Sequence, residues 1–418
     1  MFVPWEGQVV TIDSIGPSSA YEFLNGCRLK AVLSKYPNST NCRNGIPIHP
    51  NSSIGTIFHR LLEGARRNQP PNGSDSWTVE FANSVLEDLT NEENQRLEAN
   101  NLNAHLIPLQ TKPVYFSRSM NGIFAAVRIN SETTVGFSQS ALGTNGAHTL
   151  FGAEINVWDL EETWPKNLGK SGAQNFSIYG QIDRVTQNGN RIVIEDLKTG
   201  NIFDENNELK GSYITQLRLY AELWIMTARF RHGMDDVSML DIDLFVVDDS
   251  GARHPVSNQY EERITDQIRS LLLDTNQVIS KTSINKYLAD LIATPNPSSC
   301  RFCRHRTGCK AYLDQLLSNS GCFEDRFDLI GVIASLPIPN GVGSLDFQFK
   351  LQTESDLWLV DRVNQRWIDS ANLQIGETIG VFGGSEIECE ARLNFDRFFK
   401  CSPNQQALYQ FQETQQSE

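Results

Sequence analysis

Two carboxylates and a lysine follow an apolar run in the segment RIVIEDLKTG, residues 191–200. Asp196 and Lys198 are two residues apart, so on a β-strand their side chains share one face. Such a pair can hold a divalent cation and orient a water molecule, or it can be an ordinary surface ion pair. The segment alone leaves both interpretations open.

A second carboxylate, Asp183, lies in the preceding run FSIYGQIDRV. The Asn-Gly turn in QNGN, residues 187–190, predicts a hairpin between the two runs. Pairing residue 183 with roughly residue 194 places Asp183 diagonal to Asp196 on the same face. Converging carboxylates are unfavourable without a cation, and hard oxygen ligands suit Mg²⁺ or Mn²⁺. Lys198 can then orient a nucleophilic water and offset charge on a phosphoryl oxygen.

Three of the eight cysteines form a second candidate site in CRFCRHRTGC. Cys300, Cys303 and Cys309 make a C-x2-C-x5-C run, one thiol short of a tetrahedral set. The opening segment MFVPWEGQVVTIDSIG has no secretory features, so we expect a reducing, cytoplasmic compartment and free thiols. Clustered thiols then indicate a metal site, although unrelated thiols remain an alternative.

Periodicity predicts the elements that must hold these residues. Helices are predicted at 17–36, 53–66, 76–98, 211–232 and about 259–292. Short strands are predicted at 114–120, 123–129, 150–160, 176–185, 191–198 and 239–249. Five further strands between 327 and 400 predict a small, OB-like β-barrel, followed by a disordered Gln-rich tail at 403–418.

The composition limits the class of protein. The 418 residues are 39% hydrophobic and 21% charged, and no apolar run approaches the ~20 residues of a membrane span. The net charge of −14 argues against indiscriminate coating of nucleic acid but permits a local basic channel. No Walker A motif occurs, so any DNA unwinding has to come from a partner such as a helicase.

The order of the motifs resembles the PD-(D/E)XK nuclease superfamily, specifically its RecB-like branch. The matching elements span roughly residues 18–315. In chain order they are GTIFH (55–59), Glu154 in GAEINVWDL, GQIDR (180–184), EDLKTG (195–200) and QLRLYA (216–221). The resemblance implies a restriction-endonuclease-like α/β fold, in which a central mixed sheet is flanked by helices, over residues 1–325.

The resemblance also implies roles for individual residues. Asp183, Asp196 and His59 are the implied metal ligands, with the Leu197 carbonyl as a further one. Lys198 is the implied catalytic lysine. The implied supporting residues are Gln216 and Tyr220 beside the site and Glu154, which either contacts the metal through water or is simply a strand residue.

Some RecB-like nucleases, including AddB-type and CRISPR-adaptation nucleases, close a [4Fe–4S] cluster with one distant upstream cysteine. Cys27 occupies that place, so the resemblance implies a cluster held by Cys27, Cys300, Cys303 and Cys309. A zinc knuckle remains the alternative. The loop is also basic, with Arg301, Arg304, Arg306 and Lys310. These residues either contact the DNA backbone or compensate the charge of the cluster.

The resemblance implies a Mg²⁺- or Mn²⁺-dependent deoxyribonuclease acting on single-stranded or unwound DNA in repair, recombination or anti-phage defence. The alternative is a structural or DNA-binding iron–sulfur subunit of a helicase or defence complex. The OB-like module, predicted at 326–402, suits single-stranded nucleic acid. Its aromatic residues, Phe347, Phe349, Trp358 and Phe382, either stack on bases or fill the barrel.

Overall fold

The computed structural model describes most of the predicted nuclease domain and the C-terminal module. The described residues are 12, 14–34, 46, 50–67, 79–98, 109, 149–158, 177–188, 191–198, 200–232, 238–248, 250–259, 262–282, 292–318, 327–387, 395–402 and 406–410. The predicted strands at 114–120 and 123–129 lie outside them. Within the described ranges, no helix is both long and apolar enough to cross a membrane.

The first part of the chain alternates helices with one sheet. Its elements are β1 Ser14–Ile15, α1 Pro17–Asn25, α2 Arg28–Ser34, α3 Pro50–Arg67, α4 Val79–Glu98, β2 Thr149–Trp158, β3 Ser177–Asn188, β4 Arg191–Leu197, α5 Gly211–His232, β5 Ile242–Val247, β6 Arg253–Val256, α6 Ile264–Thr282, α7 Pro297–Arg301 and α8 Lys310–Ser318. The sheet is mixed, with the order β1-β3-β4-β5-β6 and with β2 also paired to β3. Helices α1, α5 and α6 pack together and α5 covers the sheet, which confirms the expected mixed α/β architecture.

Strand β4 is the centre of this sheet. It pairs antiparallel with β3 and parallel with β5, and its residues Ile192 to Asp196 are all buried. A continuous buried run is typical of a strand that is covered on both faces. Its β-branched residues suit that position. Ile194 and Leu244 on neighbouring strands join Leu217 and Trp224 of α5 in one apolar core.

The N-terminal helix is broken where a single helix was predicted. Helix α1 ends at Asn25 and α2 begins at Arg28, so the prediction of one helix over 17–36 was wrong. Gly16 is the N-cap of α1 and Pro17 occupies its first turn. A Cβ at Gly26 would lie within 3.0 Å of Glu22 and Ser299, so the turn requires glycine. The break places Cys27 in a buried turn.

The C-terminal part forms a second sheet. Its elements are β7 Asp328–Ile333, β8 Ile338–Pro339, β9 Asp346–Gln352, β10 Leu357–Asn364, α9 Gln365–Ala371, β11 Thr378–Phe382, β12 Gly384–Ile387, β13 Arg397–Cys401 and β14 Ala407–Gln410. The strand order is β12-β13-β10-β9-β7-β11-β14, with β8 on β9. In the described part of this sheet, the outer strands β12 and β14 do not pair with each other. The sheet is therefore not closed into a barrel there.

One sequence prediction for this part lies outside the described residues and another differs from the structure. The last of the five strands predicted between 327 and 400, around 390–396, falls largely on residues outside the described ones. The tail was predicted to be disordered from residue 403, yet Ala407–Gln410 pairs antiparallel with β11. Leu408 is buried in the sheet. The Gln-rich composition gave no signal for this strand, because Leu408 is its one side chain known to face the core of the sheet.

The aromatic residues of the second sheet fill its core. Phe349, Trp358 and Phe382 are each no more than 1% exposed, so they cannot stack on bases. Phe347 is partly exposed. The same core also takes in apolar residues that precede the sheet in the chain. These are Ile46, Cys300 of α7, Tyr312, Leu313 and Leu316 of α8, and Phe327.

Candidate active site

The pairing of β3 with β4 brings the two predicted carboxylates together. Val185 pairs with Ile194 and Arg184 with Glu195, so the next position places Asp183 directly opposite Asp196. The predicted pairing of residue 183 with 194 was therefore two residues out of register. The Leu197 backbone N–H donates to Asp183 Oδ2 at 2.6 Å, which fixes this carboxylate at the end of β4.

A closed set of contacts surrounds Lys198. Its Nζ lies 2.6 Å from Asp196 Oδ2 and donates to Gln216 Oε1 at 3.1 Å. Gln216 Nε2 in turn donates to Asp196 Oδ1 at 3.2 Å and to the Tyr220 hydroxyl oxygen at 3.3 Å. The Lys198 backbone N–H donates to the Val247 carbonyl at 2.8 Å, which anchors the lysine to β5. The structure thus brings Asp196, Lys198, Gln216 and Tyr220 together.

Burial perturbs both charged groups of this set. Burial raises the pKa of Asp196 to about 7 against the lowering effect of Lys198, and Asp183 raises it further. Burial alone would lower the pKa of Lys198, but Asp196 and Asp183 outweigh it, so this pKa lies above its ordinary value. Lys198 is therefore an ammonium at neutral pH.

His59 and Glu154 flank the carboxylates. His59 is on α3, and its Nδ1 lies 4.0 Å from Asp183 Oδ1. Glu154 is on β2, where pairing of Ala153 with Arg184 and Ile155 with Ile182 places its backbone level with Asp183. Leu197 is partly exposed at the end of β4, where its carbonyl is a possible further ligand.

The chemistry of these residues fits a hard divalent cation. Asp196 Oδ2 is fully buried and receives no hydrogen bond of good geometry, although the Lys198 ammonium is nearby. Two buried carboxylates and one ammonium together carry a net negative charge, which a bound cation would neutralise. No three His, Cys, Asp or Glu side chains in the described ranges lie close enough to surround a single ion. A cation would therefore require Asp183, Asp196 and His59 to draw together.

Comparison with known proteins identifies the family of this chain. The sequence model of the PD-(D/E)XK nuclease superfamily matches residues 18–310, which is most of the chain. The chain belongs to the PD-(D/E)XK nuclease superfamily. The matched range contains His59, Asp183, Asp196, Lys198 and Gln216.

Two solved structures are also similar to this nuclease. One is a protein from Eubacterium rectale named as a candidate exonuclease, at 11% identity and a TM-score of 0.32, covering 70% of this chain and 88% of that one. The other is SSO0001, at 14% identity and a TM-score of 0.23, covering 52% of this chain and 96% of that one. No curated protein matches. At these TM-scores neither structure supports a conclusion about activity.

The four predicted cysteine ligands line one small cavity. Cys27, Cys300, Cys303 and Cys309 face a cavity of about 20 Å³ that Lys30 and Arg306 also line. Cys27, Cys300 and Cys303 are buried and Cys309 is partly buried, and burial raises the pKa of Cys300 and of Cys309 to about 12. Four thiols gathered from distant segments are a donor set suited to a thiolate-bound metal group. Cys401 is buried in the second sheet, and Cys42, Cys322 and Cys389 lie outside the described residues.

The basic residues of the cysteine loop, residues 300–310, have different environments. Arg301 is exposed, Arg304 Nε donates to the Ile46 carbonyl at 3.4 Å, and Lys310 pairs with Asp314. Arg306 is only 4% exposed and cannot contact DNA, so its predicted DNA-binding role was wrong. Its guanidinium binds Asp328 through two hydrogen bonds, with Nε–Oδ2 at 2.5 Å and Nη2–Oδ1 at 2.9 Å.

Asp328 and Tyr213 were missed by sequence reasoning. Asp328 accepts from Tyr312 Oη at 2.6 Å and from the Gly383 N–H at 2.7 Å, in addition to Arg306. An aspartate at the start of a strand carries no local signal for such a partner. Tyr213 lies beneath Lys198, and its spacing of three residues before Gln216 could have indicated a position on the same helix face.

Proposed function

We propose that this protein is a Mg²⁺- or Mn²⁺-dependent deoxyribonuclease that hydrolyses phosphodiester bonds in single-stranded or unwound DNA. The observation that carries the proposal is the buried contact set of Asp196, Lys198 and Gln216, with Asp183 directly across the strand pair. A chain that used this fold only for docking would not need to bury a lysine between two carboxylates at a cost in desolvation.

Each residue of the set has a defined task in this proposal. Asp183, Asp196 and His59 would hold the cation, with the Leu197 carbonyl and Glu154 as further contacts. When bound, the cation supplies Lewis acidity and lowers the pKa of water. Lys198 carries a full positive charge that can orient the attacking water and stabilise negative charge on the phosphate. Gln216 keeps Lys198 and Asp196 in position, and Tyr220 accepts a hydrogen bond from Gln216.

We further propose that the protein is a RecB-like member and that its four cavity-lining cysteines hold a [4Fe–4S] cluster. Cys27 reaches the cavity from the α1–α2 turn, as the RecB-like iron–sulfur pattern requires. A zinc ion needs four sulfurs, each about 2.3 Å from one point. The four thiols line one cavity, where either group would be bound by all four sulfurs. Purified protein is then expected to be brown, with absorption near about 400 nm.

The substrate and partner remain proposals that rest on this site. Arg301, Arg304 and Lys310 are partly or fully exposed and are proposed to contact the DNA backbone. DNA repair, recombination or anti-phage defence is the proposed setting, with a helicase as the proposed partner in trans. The C-terminal sheet is proposed to be an OB-like module. Its buried aromatics make protein docking a better supported role for it than base stacking.

A nuclease assay tests the proposed function. End-labelled single- and double-stranded DNA would be incubated with purified protein and Mg²⁺ or Mn²⁺, with EDTA as the control. We expect metal-dependent cleavage that favours the single strand. DNA binding without cleavage in either metal would instead favour the structural or DNA-binding subunit. Metal analysis of protein purified without air would separate iron–sulfur from zinc, since colourless protein with stoichiometric zinc would contradict the cluster.

A further inference from the structure

The ammonium of Lys198 has a third partner besides Asp196 and Gln216. Its Nζ lies 5.1 Å from the centroid of the Tyr213 ring, over the ring face. An ammonium within about 6 Å of an aromatic centroid is attracted by the negative face of the ring. The lysine side chain is only 16% exposed, so this contact is poorly screened by water.

Tyr213 is held in place by local structure. It is in the first turn of α5, where its N–H donates to the Lys210 carbonyl at 2.9 Å. The preceding loop is closed on itself, because Lys210 N–H donates to the Ile202 carbonyl at 3.0 Å and Phe203 pairs with Leu209. The ring packs against the edge of the first core. Its position is therefore set by the fold and does not depend on Lys198.

The helix presents Tyr213 on the same face as two residues of the site. Tyr213, Gln216 and Tyr220 are spaced by three and four residues, which aligns them along one side of α5. The Gln216 amide bridges Asp196 and Lys198, and Tyr213 lies one turn before it. Helix α5 therefore provides two contacts to Lys198, one from Gln216 and one from Tyr213.

We propose that Tyr213 is a positioning residue that holds the Lys198 ammonium at the scissile phosphate during DNA cleavage. This inference rests on the proposed nuclease function. A lysine side chain has four rotatable bonds, and its carboxylate partner would be shared with the metal ion when one binds Asp196. The Tyr213 ring is a partner that a metal ion cannot take, so it keeps the ammonium in place in the loaded enzyme.

A second lysine provides a matched control. Lys210 Nζ lies 5.8 Å from the same ring centroid and also donates to the Asn201 carbonyl. Lys210 is outside the buried contact set. Replacing it removes the other cation from the ring and leaves the contact between Tyr213 and Lys198.

Single-turnover cleavage by purified full-length variants tests the proposal. Tyr213→Phe keeps the ring and should cleave within about twofold of wild type, whereas Tyr213→Leu should lose about tenfold in rate at saturating DNA. The affinities for DNA and for Mn²⁺ should be unchanged in both variants. Lys210→Ala should cleave at the wild-type rate at saturating DNA. Tyr213→Met, which has an unbranched side chain suited to a helix, replaces Tyr213→Leu if the latter does not fold.

The outcomes separate this inference from the proposed function. A wild-type protein without metal-dependent cleavage would overturn the function itself. If wild type cleaves DNA and folded Tyr213→Leu or Tyr213→Met cleaves equally fast, Tyr213 does not position the lysine. A lower melting temperature with an unchanged rate per folded molecule would show a packing role only and would also overturn the inference.

Discussion

Lys198 is a buried cation whose position depends on several neighbours at once. An ion pair with Asp196, a hydrogen bond to Gln216 and one aromatic ring hold its ammonium, while its backbone N–H is bound to β5. The pattern of an aspartate and a lysine two residues apart correctly indicated the pair from the sequence. The ring could not be predicted in the same way, because its contact depends on how α5 lies over the sheet.

Lys198→Ala is expected to remove most of the cleavage and to leave the fold intact. Loss of one transition-state charge contact commonly costs about 10²- to 10³-fold in rate. Mn²⁺ affinity should remain, because the carboxylates are retained. Single-turnover assays and calorimetric titration measure the two effects, and Lys281→Ala on the exposed end of α6 is the control. Wild-type rates in Lys198→Ala would contradict its catalytic role.

Asp196→Ala is expected to abolish cleavage through loss of the cation. Asp196 contributes one of the two facing carboxylates, so its removal should also abolish the increase in melting temperature that Mn²⁺ produces in wild type. Asp243→Ala on the neighbouring strand β5 is the control, since Asp243 pairs with Arg191 at the other end of the strand. An equal Mn²⁺-induced shift in Asp196→Ala would place the metal elsewhere.

The individual elements around the site were more predictable than their mutual pairing. Local apolar periods and the Asn-Gly turn predicted β3, β4 and α5 close to their observed bounds. The register was missed by two residues because it depends on where the turn closes, which composition does not specify. The role of Arg306 was predicted wrongly for a related reason. Its partner Asp328 is 22 residues away in the chain, on a strand of the second sheet.

Glu222 links two helices that support the site. It is on α5, is 3% exposed, and accepts 2.8 Å hydrogen bonds from the N–H groups of Ile264 and Thr265 at the start of α6. Glu222→Ala leaves two buried donors unsatisfied at a helix N-terminus and should cost about 2–4 kcal/mol in the free energy of unfolding. Urea unfolding measures it. Glu262→Ala, exposed just before α6, should cost under about 0.5 kcal/mol.

At the scale of the whole molecule, the described residues form two apolar cores that meet at the cysteine loop. The first surrounds β4 and α5, and the second joins the C-terminal sheet to α8 and Cys300. The proposed domain boundary at residue 325 stays a prediction. The contacts that cross it, above all that between Arg306 and Asp328, determine how the two parts depend on each other.

Asp328→Ala is expected to destabilise the cysteine loop more than the nuclease core. It leaves the buried Arg306 guanidinium without a counter-ion, a defect that commonly costs about 3–5 kcal/mol. We expect faster loss of absorption near about 400 nm on mild heating, while far-UV circular dichroism changes less. The control is Asp369→Ala, an exposed residue of α9. Equal rates of bleaching in the two variants would show that Asp328 does not support the loop.

A chain ending at Asp325 tests the boundary itself. The first core contains no residue of the C-terminal sheet, so this shorter chain should fold and keep Asp183, Asp196 and Lys198 in place. It should bind the proposed iron–sulfur cluster weakly, because Tyr312, Leu313 and Leu316 no longer pack against the C-terminal sheet. Circular dichroism and iron content measure these two effects. Failure of the shorter chain to fold would mean that the two cores form one cooperative unit.

The position of Asp328 in the chain also affects the order of assembly. A ribosome releases Cys27, Cys300, Cys303 and Cys309 before it releases the strand that carries Asp328. Until β7 arrives, Arg306, which lines the thiol cavity, has no carboxylate to bind. That wall of the cavity is therefore less constrained in the nascent chain than in the finished protein. The proposed cluster should enter most easily before β7 brings Asp328 to Arg306, so reconstitution after purification should be slow even when all components are in excess.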